Sequence, residues 1–181
     1  MRLRLLIDSS SLIVLARVKA LSALHSVYGC VGLIQSVYEE VVLQGQEKGF
    51  ADATVVAQAV EEGWFSKLTL TDEEQRVATT LLKKTSSISR TDAETLACAR
   101  SRRLTLLIED RRARNVARVE DIAYITIQVF PLYGVLEKTL TAAQCDALLT
   151  QIGHAMNTDL AVLEALRAAV REIDRSRRKE S

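Results

Sequence analysis

The side chains in this chain best suited to chemistry are carboxylates. Asp8 follows the apolar run Leu3 to Ile7, and Glu40 sits in Val37-Tyr38-Glu39-Glu40-Val41, a segment apolar on one side. Asp92 and Glu94 open a helical stretch, and Glu109-Asp110 close the apolar run Leu104 to Ile108. If these acids converge, one pocket holds about four negative charges. Each close pair repels by ~4 kcal/mol at about 4 Å under an effective dielectric of ~20. Such a cluster persists only when protons or a cation neutralise it. Oxygen-only ligands, without sulfur or imidazole, suit Mg²⁺ or Mn²⁺. A cation held this way lowers the pKa of a bound water, orients it and stabilises a departing oxygen, which is a common device for phosphodiester hydrolysis.

Each acid also has a plainer use, so the case rests on joint placement. Asp8 could cap the helix after it, and Asp92 lies in a first helical turn, where the macrodipole favours any acid. Glu94 fits the third position of a capping box opened by Thr91. Of the adjacent Glu39 and Glu40, only one is expected to face inward. Glu109-Asp110, followed by arginines, could be a surface ion-pair cluster. A second pattern favours a phosphate-bearing partner: Arg100, Arg102, Arg103, Arg111, Arg112, Arg114 and Arg118 crowd around the acidic strand end. Arginine binds phosphate in bidentate fashion and stays charged when partly buried. Its plainer alternative is a solvated helix face with intrachain pairs.

Other chemistries find little support. The chain has no Gly-x-Gly-x-x-Gly, Walker loop or Gly-x-Ser-x-Gly elbow. Its two histidines, His25 and His154, are far apart and lack ligand-spaced companions. An aspartyl-phosphate role for Asp8 would call for a second acid two residues on, where Ser10 stands. With 24 Lys and Arg against 23 Asp and Glu, the net charge is +1, so attraction for phosphate must come from local patterning. Aromatic residues are 4%, too few for a base-stacking platform.

The elements that must position these acids follow from the apolar pattern. Leu3 to Ile7, Val31 to Ile34, Leu104 to Ile108 and Ala123 to Thr126 read as short buried strands, and Trp64 to Leu70 as an edge strand. Between them, helices are expected over the stretch opened by Ser9-Ser10-Ser11 and running to Val18, over Lys19 to Val27, Ser36 to Leu43 and Ala51 to Glu62. Further helices are expected from the Thr71 capping box to Lys84, from the Thr91 box to Arg103, and over Arg111 to Val119, Val129 to Leu140 and Ala142 to Ile152. Gly45 to Gly49 and Thr85 to Arg90 read as loops. Short apolar strands alternating with helices imply an α/β fold with a mainly parallel sheet covered on both faces, a three-layer α/β/α sandwich. Sites in such sheets form beyond the carboxyl ends of the strands, where Asp8, Glu109 and Asp110 stand.

Residues 1–140 form the main domain in this reading, and 141–181 a C-terminal helical extension. In the extension, Leu163, Leu166, Val170 and Ile173 make one apolar stripe. It serves either packing on the domain or a seam for a dimer or partner helix. The basic tail Arg175 to Ser181 is expected to fray. At 181 residues the chain needs no staples, and Cys30, Cys98 and Cys145 have no metal or redox spacing. Reduced thiols, the lack of a signal-peptide pattern at the start and the lack of a ~20-residue apolar run imply a cytoplasmic protein without a membrane span.

Taken in order, these stretches resemble the PIN-domain superfamily of metal-dependent ribonucleases, in particular a predicted nucleic-acid-binding branch distantly related to VapC toxins. The matching segments are Ile7 to Arg17, Val37 to Val42, Ala51-Asp52-Ala53 leading to Gly63-Trp64, Thr91 to Ala97 and Leu107 to Arg114, with a later echo at Gly134-Val135-Leu136. The resemblance covers roughly residues 3 to 138. It implies a cleft of acids binding Mg²⁺ or Mn²⁺ and endonucleolytic hydrolysis of single-stranded or structured RNA. Carried onto this chain, the acids are Asp8, Glu40, Asp92 and Asp110, with Glu94 and Glu109 as rivals for the last two. Ser10 is a supporting hydroxyl, and Arg111, Arg112 and Arg114 form the nucleic-acid rim. Relatives often have two Asp at 109–110, so Glu109 is a departure, as is Ser11 where Pro is common. The resemblance also raises an antitoxin protein and a second copy of the chain as partners. The rival reading is a non-catalytic adaptor of the same architecture.

Overall fold

The computed structural model describes residues 3–179. Five strands form one sheet: β1 (Leu5–Ile7), β2 (Val31–Ile34), β3 (Phe65–Leu68), β4 (Thr105–Leu107) and β5 (Tyr124–Ile125). Their order is β3-β2-β1-β4-β5 and every neighbouring pair is parallel. Parallel strands need covered faces, and every residue of β1 and β2 is buried. The edges relax this rule, with Lys67 exposed on β3 and Tyr124 on β5. The chain therefore has the expected three-layer α/β/α architecture; β2 fills its apolar run, and the other strands are two or three residues shorter than theirs.

The helices are α1 (Ser9–Arg17), α2 (Leu21–Tyr28), α3 (Gln35–Tyr38), α4 (Gln44–Glu47), α5 (Ala51–Glu61) and α6 (Asp72–Lys84). They continue as α7 (Arg90–Arg102), α8 (Arg111–Val119), α9 (Phe130–Leu136), α10 (Ala142–Met156) and α11 (Leu160–Lys179). Helix α7 packs against β1, β2 and β4. Its buried face is mostly small (Ala93, Ala97, Cys98, Ala99), with Leu96 as the larger side chain. Small side chains let the helix approach the sheet closely and hold its N-terminal turn steady against it.

Four expectations change. Gly45 to Gly49 is not all loop, because Gln44–Glu47 is helical and follows a π-helical turn, Glu39–Leu43. Gly45 makes this possible: a Cβ there would lie 2.7 Å from the Cβ of Ala53 in α5, so only glycine allows this approach. The capping box of α7 is formed by Ser89 and Asp92, two residues before the Thr91 box that the sequence suggested. Helix α9 stops at Leu136 rather than Leu140. The chain turns back there, with Lys138 at φ 63° and the N–H of Leu140 donating to the Gly134 carbonyl. Finally, the basic tail is helical as far as Lys179, and residues 180–181 lie outside the described part.

The apolar stripe of α11 is used within the chain. Val170 is buried, Leu166 and Ile173 pack against the core, and Leu163 lies over Gly153 of α10. Arg177 adds a hydrogen bond to the Val135 carbonyl in α9. Among the described residues no single helix is long and apolar enough to cross a membrane.

Candidate functional site

The strand order reverses direction between β1 and β4, since β2 and β3 lie on one side of β1 while β4 and β5 lie on the other. In an open parallel sheet, a crevice forms beyond the carboxyl ends of the strands at such a point. Asp8 leaves β1 there and Glu109 leaves β4. The N–H of Asp8 donates to the Leu107 carbonyl at 3.1 Å, extending the ladder one step past the strands.

Asp8 is 3% exposed. Its Oδ1 accepts the Ser11 N–H at 2.8 Å, which caps α1. Its Oδ2 accepts the Ser10 hydroxyl at 2.8 Å and the Glu109 N–H at 3.2 Å. Burial pushes the Asp8 carboxyl above its ordinary range, while these hydrogen bonds pull it back. Ser10 thus supports Asp8, the role the sequence assigns it.

Glu109 is half-buried beside Asp8. Its Oε1 accepts the Ile127 N–H at 2.6 Å. Burial raises its pKa, and the neighbouring Asp8 charge adds to the rise. The Ile127 bond and the positive field of Arg114 oppose it. Arg114 is held close enough to act on this carboxylate, and its Nε is buried without a hydrogen-bond partner. Its side chain is half-buried, whereas Arg111 and Arg112 are exposed. Asp110 is the N-cap of α8, its Oδ1 accepting the Ala113 N–H at 2.8 Å, as Asp8 caps α1.

Glu40 Oε2 accepts the hydroxyl of Ser9, the residue next to Asp8 in the chain, at 3.0 Å. The π-helical turn spaces Glu39 and Glu40 so that both are exposed while Val41 and Val42 are both buried. Both glutamates line one cleft of about 720 Å³, together with Glu94, Arg90, Ser89 and Gln75. The two do not both face inward, as expected, and neither is buried. Glu94 pairs with Arg90 at 2.7 Å. Asp92 makes both halves of a capping box with Ser89: its Oδ2 accepts the Ser89 N–H at 2.9 Å, and its own N–H donates to Ser89 Oγ at 3.0 Å.

Of the four expected acids, then, Asp8 and Asp110 each cap a helix, Asp92 closes a capping box, and Glu40 accepts from Ser9, the neighbour of Asp8 in the chain. The rivals Glu94 and Glu109 are the ones turned toward the cleft and toward Asp8. Ser9 is the residue that sequence reasoning missed. Its only signal was its place directly after Asp8. The arginines divide as well. Arg100 pairs with Glu120 and Arg102 with Glu74, while Arg111, Arg112 and Arg118 are exposed and have no ion pair among those formed by the described residues.

The acids suit Mg²⁺ or Mn²⁺ by donor chemistry, since every candidate ligand is an oxygen and Asp8, Glu40 and Glu109 have no salt-bridge partner among the described residues. Their spacing is not that of a drawn-up site: among the described residues no three His, Cys, Asp or Glu side chains stand together in a group that could hold a metal ion. Against known proteins, the model of a family described as DUF3368: PIN domain matches residues 4–148. No curated protein matches the chain.

Proposed function

The chain belongs to the PIN-domain family, whose members are typically nucleases and often metal-dependent, and on that premise we propose that it is a metal-dependent endoribonuclease. The observation that carries this reading is the acidic corner at the switch point. Asp8 is buried, Glu109 beside it is half-buried, and Glu40 accepts from the hydroxyl of Ser9, the residue next to Asp8 in the chain. Uncompensated buried carboxylates raise the free energy of the fold, and a cation relieves that cost. In this reading Asp8, Glu40, Glu94 and Glu109 supply the oxygens for Mg²⁺ or Mn²⁺, Asp92 closes the capping box of the helix that carries Glu94, and Asp110 caps α8, which carries Arg111 and Arg112. The ion, when bound, supplies an activated water and charge for the departing oxygen. The chain's own part is to fix Asp8 by three donors, to hold Glu40 by the Ser9 hydroxyl, and to present Arg111 and Arg112 to the RNA backbone.

The test is RNA cleavage by the pure chain with Mn²⁺ or Mg²⁺ added and then with EDTA. Cleavage that EDTA abolishes supports the enzyme. Tight RNA binding that is independent of metal, with no cleavage, supports a nucleic-acid adaptor instead.

A further inference from the structure

Beside the acidic cleft, across one loop, lies a second cavity. The segment joining α6 to α7 is the shared wall: its Ser89 lines the cleft, and its Thr85 and Ser87 line a groove of about 480 Å³ on the far side. The rest of this groove comes from the end of α6 (Lys84) and from one face of α8 (Arg112, Asn115, Val116, Val119). Its chemistry is the opposite of the cleft's. Glu120, at its margin, is held by both Arg100 at 2.7 Å and Lys84 at 3.8 Å, so the single acid is more than neutralised. Arg112 is exposed and in no ion pair among the described residues. Val119 is 79% exposed, the most exposed of the large apolar side chains, and it sits among these cations. An apolar floor with a cationic and hydrogen-bonding rim fits a nucleobase with its phosphate: the base covers the valine, and the guanidinium takes the phosphate.

We propose that this groove is a nucleotide subsite for single-stranded RNA, placed so that a strand crossing the α6–α7 loop lies in the groove and the acidic cleft together. The proposal rests on the ribonuclease reading for its choice of RNA. It adds Lys84, Ser87, Asn115 and Val119 to the substrate contacts and gives Arg112 a specific one. A single strand can bend over a loop and present one base to the floor, which a stacked duplex cannot do.

The test separates this subsite from catalysis. A fluorescein-labelled oligouridylate of about twelve nucleotides is titrated in EDTA with fluorescence anisotropy as the readout, so that no cleavage enters. Arg112→Glu and Val119→Asp are each expected to weaken binding by roughly tenfold. Arg118→Glu, on the same helix but outside the groove, is expected to stay within about twofold. Arg112→Ala should also reduce the salt slope of log K by about 0.7. Equal losses for Arg112→Glu and Arg118→Glu, no loss for Arg112→Glu and Val119→Asp, or no binding by the unaltered chain would each overturn the subsite. A chain that shows the groove-specific losses yet never cleaves RNA would refute the ribonuclease reading alone. One that cleaves RNA with both groove variants binding normally would refute the subsite alone.

Discussion

The peptide N–H of Glu109 donates to Oδ2 of Asp8 across 3.2 Å, joining the end of β4 to the end of β1 over 101 positions of sequence. This bond brings the two carboxylates together. Glu109 cannot leave the corner without breaking a contact that also steadies Asp8. Ser10 and Ser11 complete the hold on Asp8. The residue at the centre of the candidate site is thus also a structural cap, and substitutions must separate the two roles.

Asp8→Asn is expected to abolish RNA cleavage while the fold survives. The amide still caps α1, and the burial penalty on a charge is gone. The amide nitrogen cannot accept from the Glu109 N–H, so the variant's melting temperature should fall by a few degrees, roughly the loss of one hydrogen bond. Asp8→Ala should lose both activity and about 0.5–2 kcal/mol of stability with the cap. Full cleavage by Asp8→Asn with added Mn²⁺ would remove Asp8 from the mechanism.

Glu94 and Asp92 should part in the same assay. Glu94→Gln keeps α7 intact and is expected to cut cleavage by roughly 100-fold or more. Asp92→Ala breaks the box with Ser89 and should cost about 1 kcal/mol, with a smaller loss of activity. The reverse ranking, from cleavage rates and thermal melts, would return Asp92 to the ligand set.

Glu74 and Arg102 predict a pH dependence away from the site. Glu74 is 2% exposed, and Arg102 binds both of its carboxylate oxygens at 2.7 and 2.8 Å. The guanidinium holds the Glu74 carboxyl below its ordinary value of 4.5. A depressed pKa means that the folded state prefers the ionised form, so this stabilisation is present above about pH 4.5 and is lost as pH falls through the lower folded value. Glu74→Gln should melt well below the unaltered chain at pH 7, and the gap should close on acidification. A gap that is constant down to pH 3 would show that the ion pair contributes nothing.

Gly45→Ala tests the support behind Glu40. The added methyl would stand 2.7 Å from the Ala53 Cβ, and neither group has a rotamer by which to escape. The helices must part, at a cost of about 1–3 kcal/mol. Denaturant melts should show the loss, and cleavage should fall as the π-helical turn shifts. Wild-type stability would mean that α4 and α5 can slide freely.

The sequence by itself determined the layers, the order of strands and helices along the chain and the place of Asp8 at a strand end. Apolar runs of burial length and serine-led helix starts are local patterns, and a strand-ending acid is legible because the sheet must stop where water begins. Asp92 and Glu94 could not be ranked that way. Ser89 and Thr91 both offer a capping hydroxyl, and the choice depends on which turn lets Ala93, Leu96 and Ala97 meet the sheet. Glu109 and Asp110 posed the same difficulty. Only the pairing of β4 with β1 put the Glu109 N–H on Asp8 and left Asp110 to cap α8. The partnership of Ser9 with Glu40, the half-burial of Arg114 and the groove beside α8 also belong to tertiary structure alone. Each depends on the distance between segments far apart in the chain, and spacing along a sequence does not encode that distance.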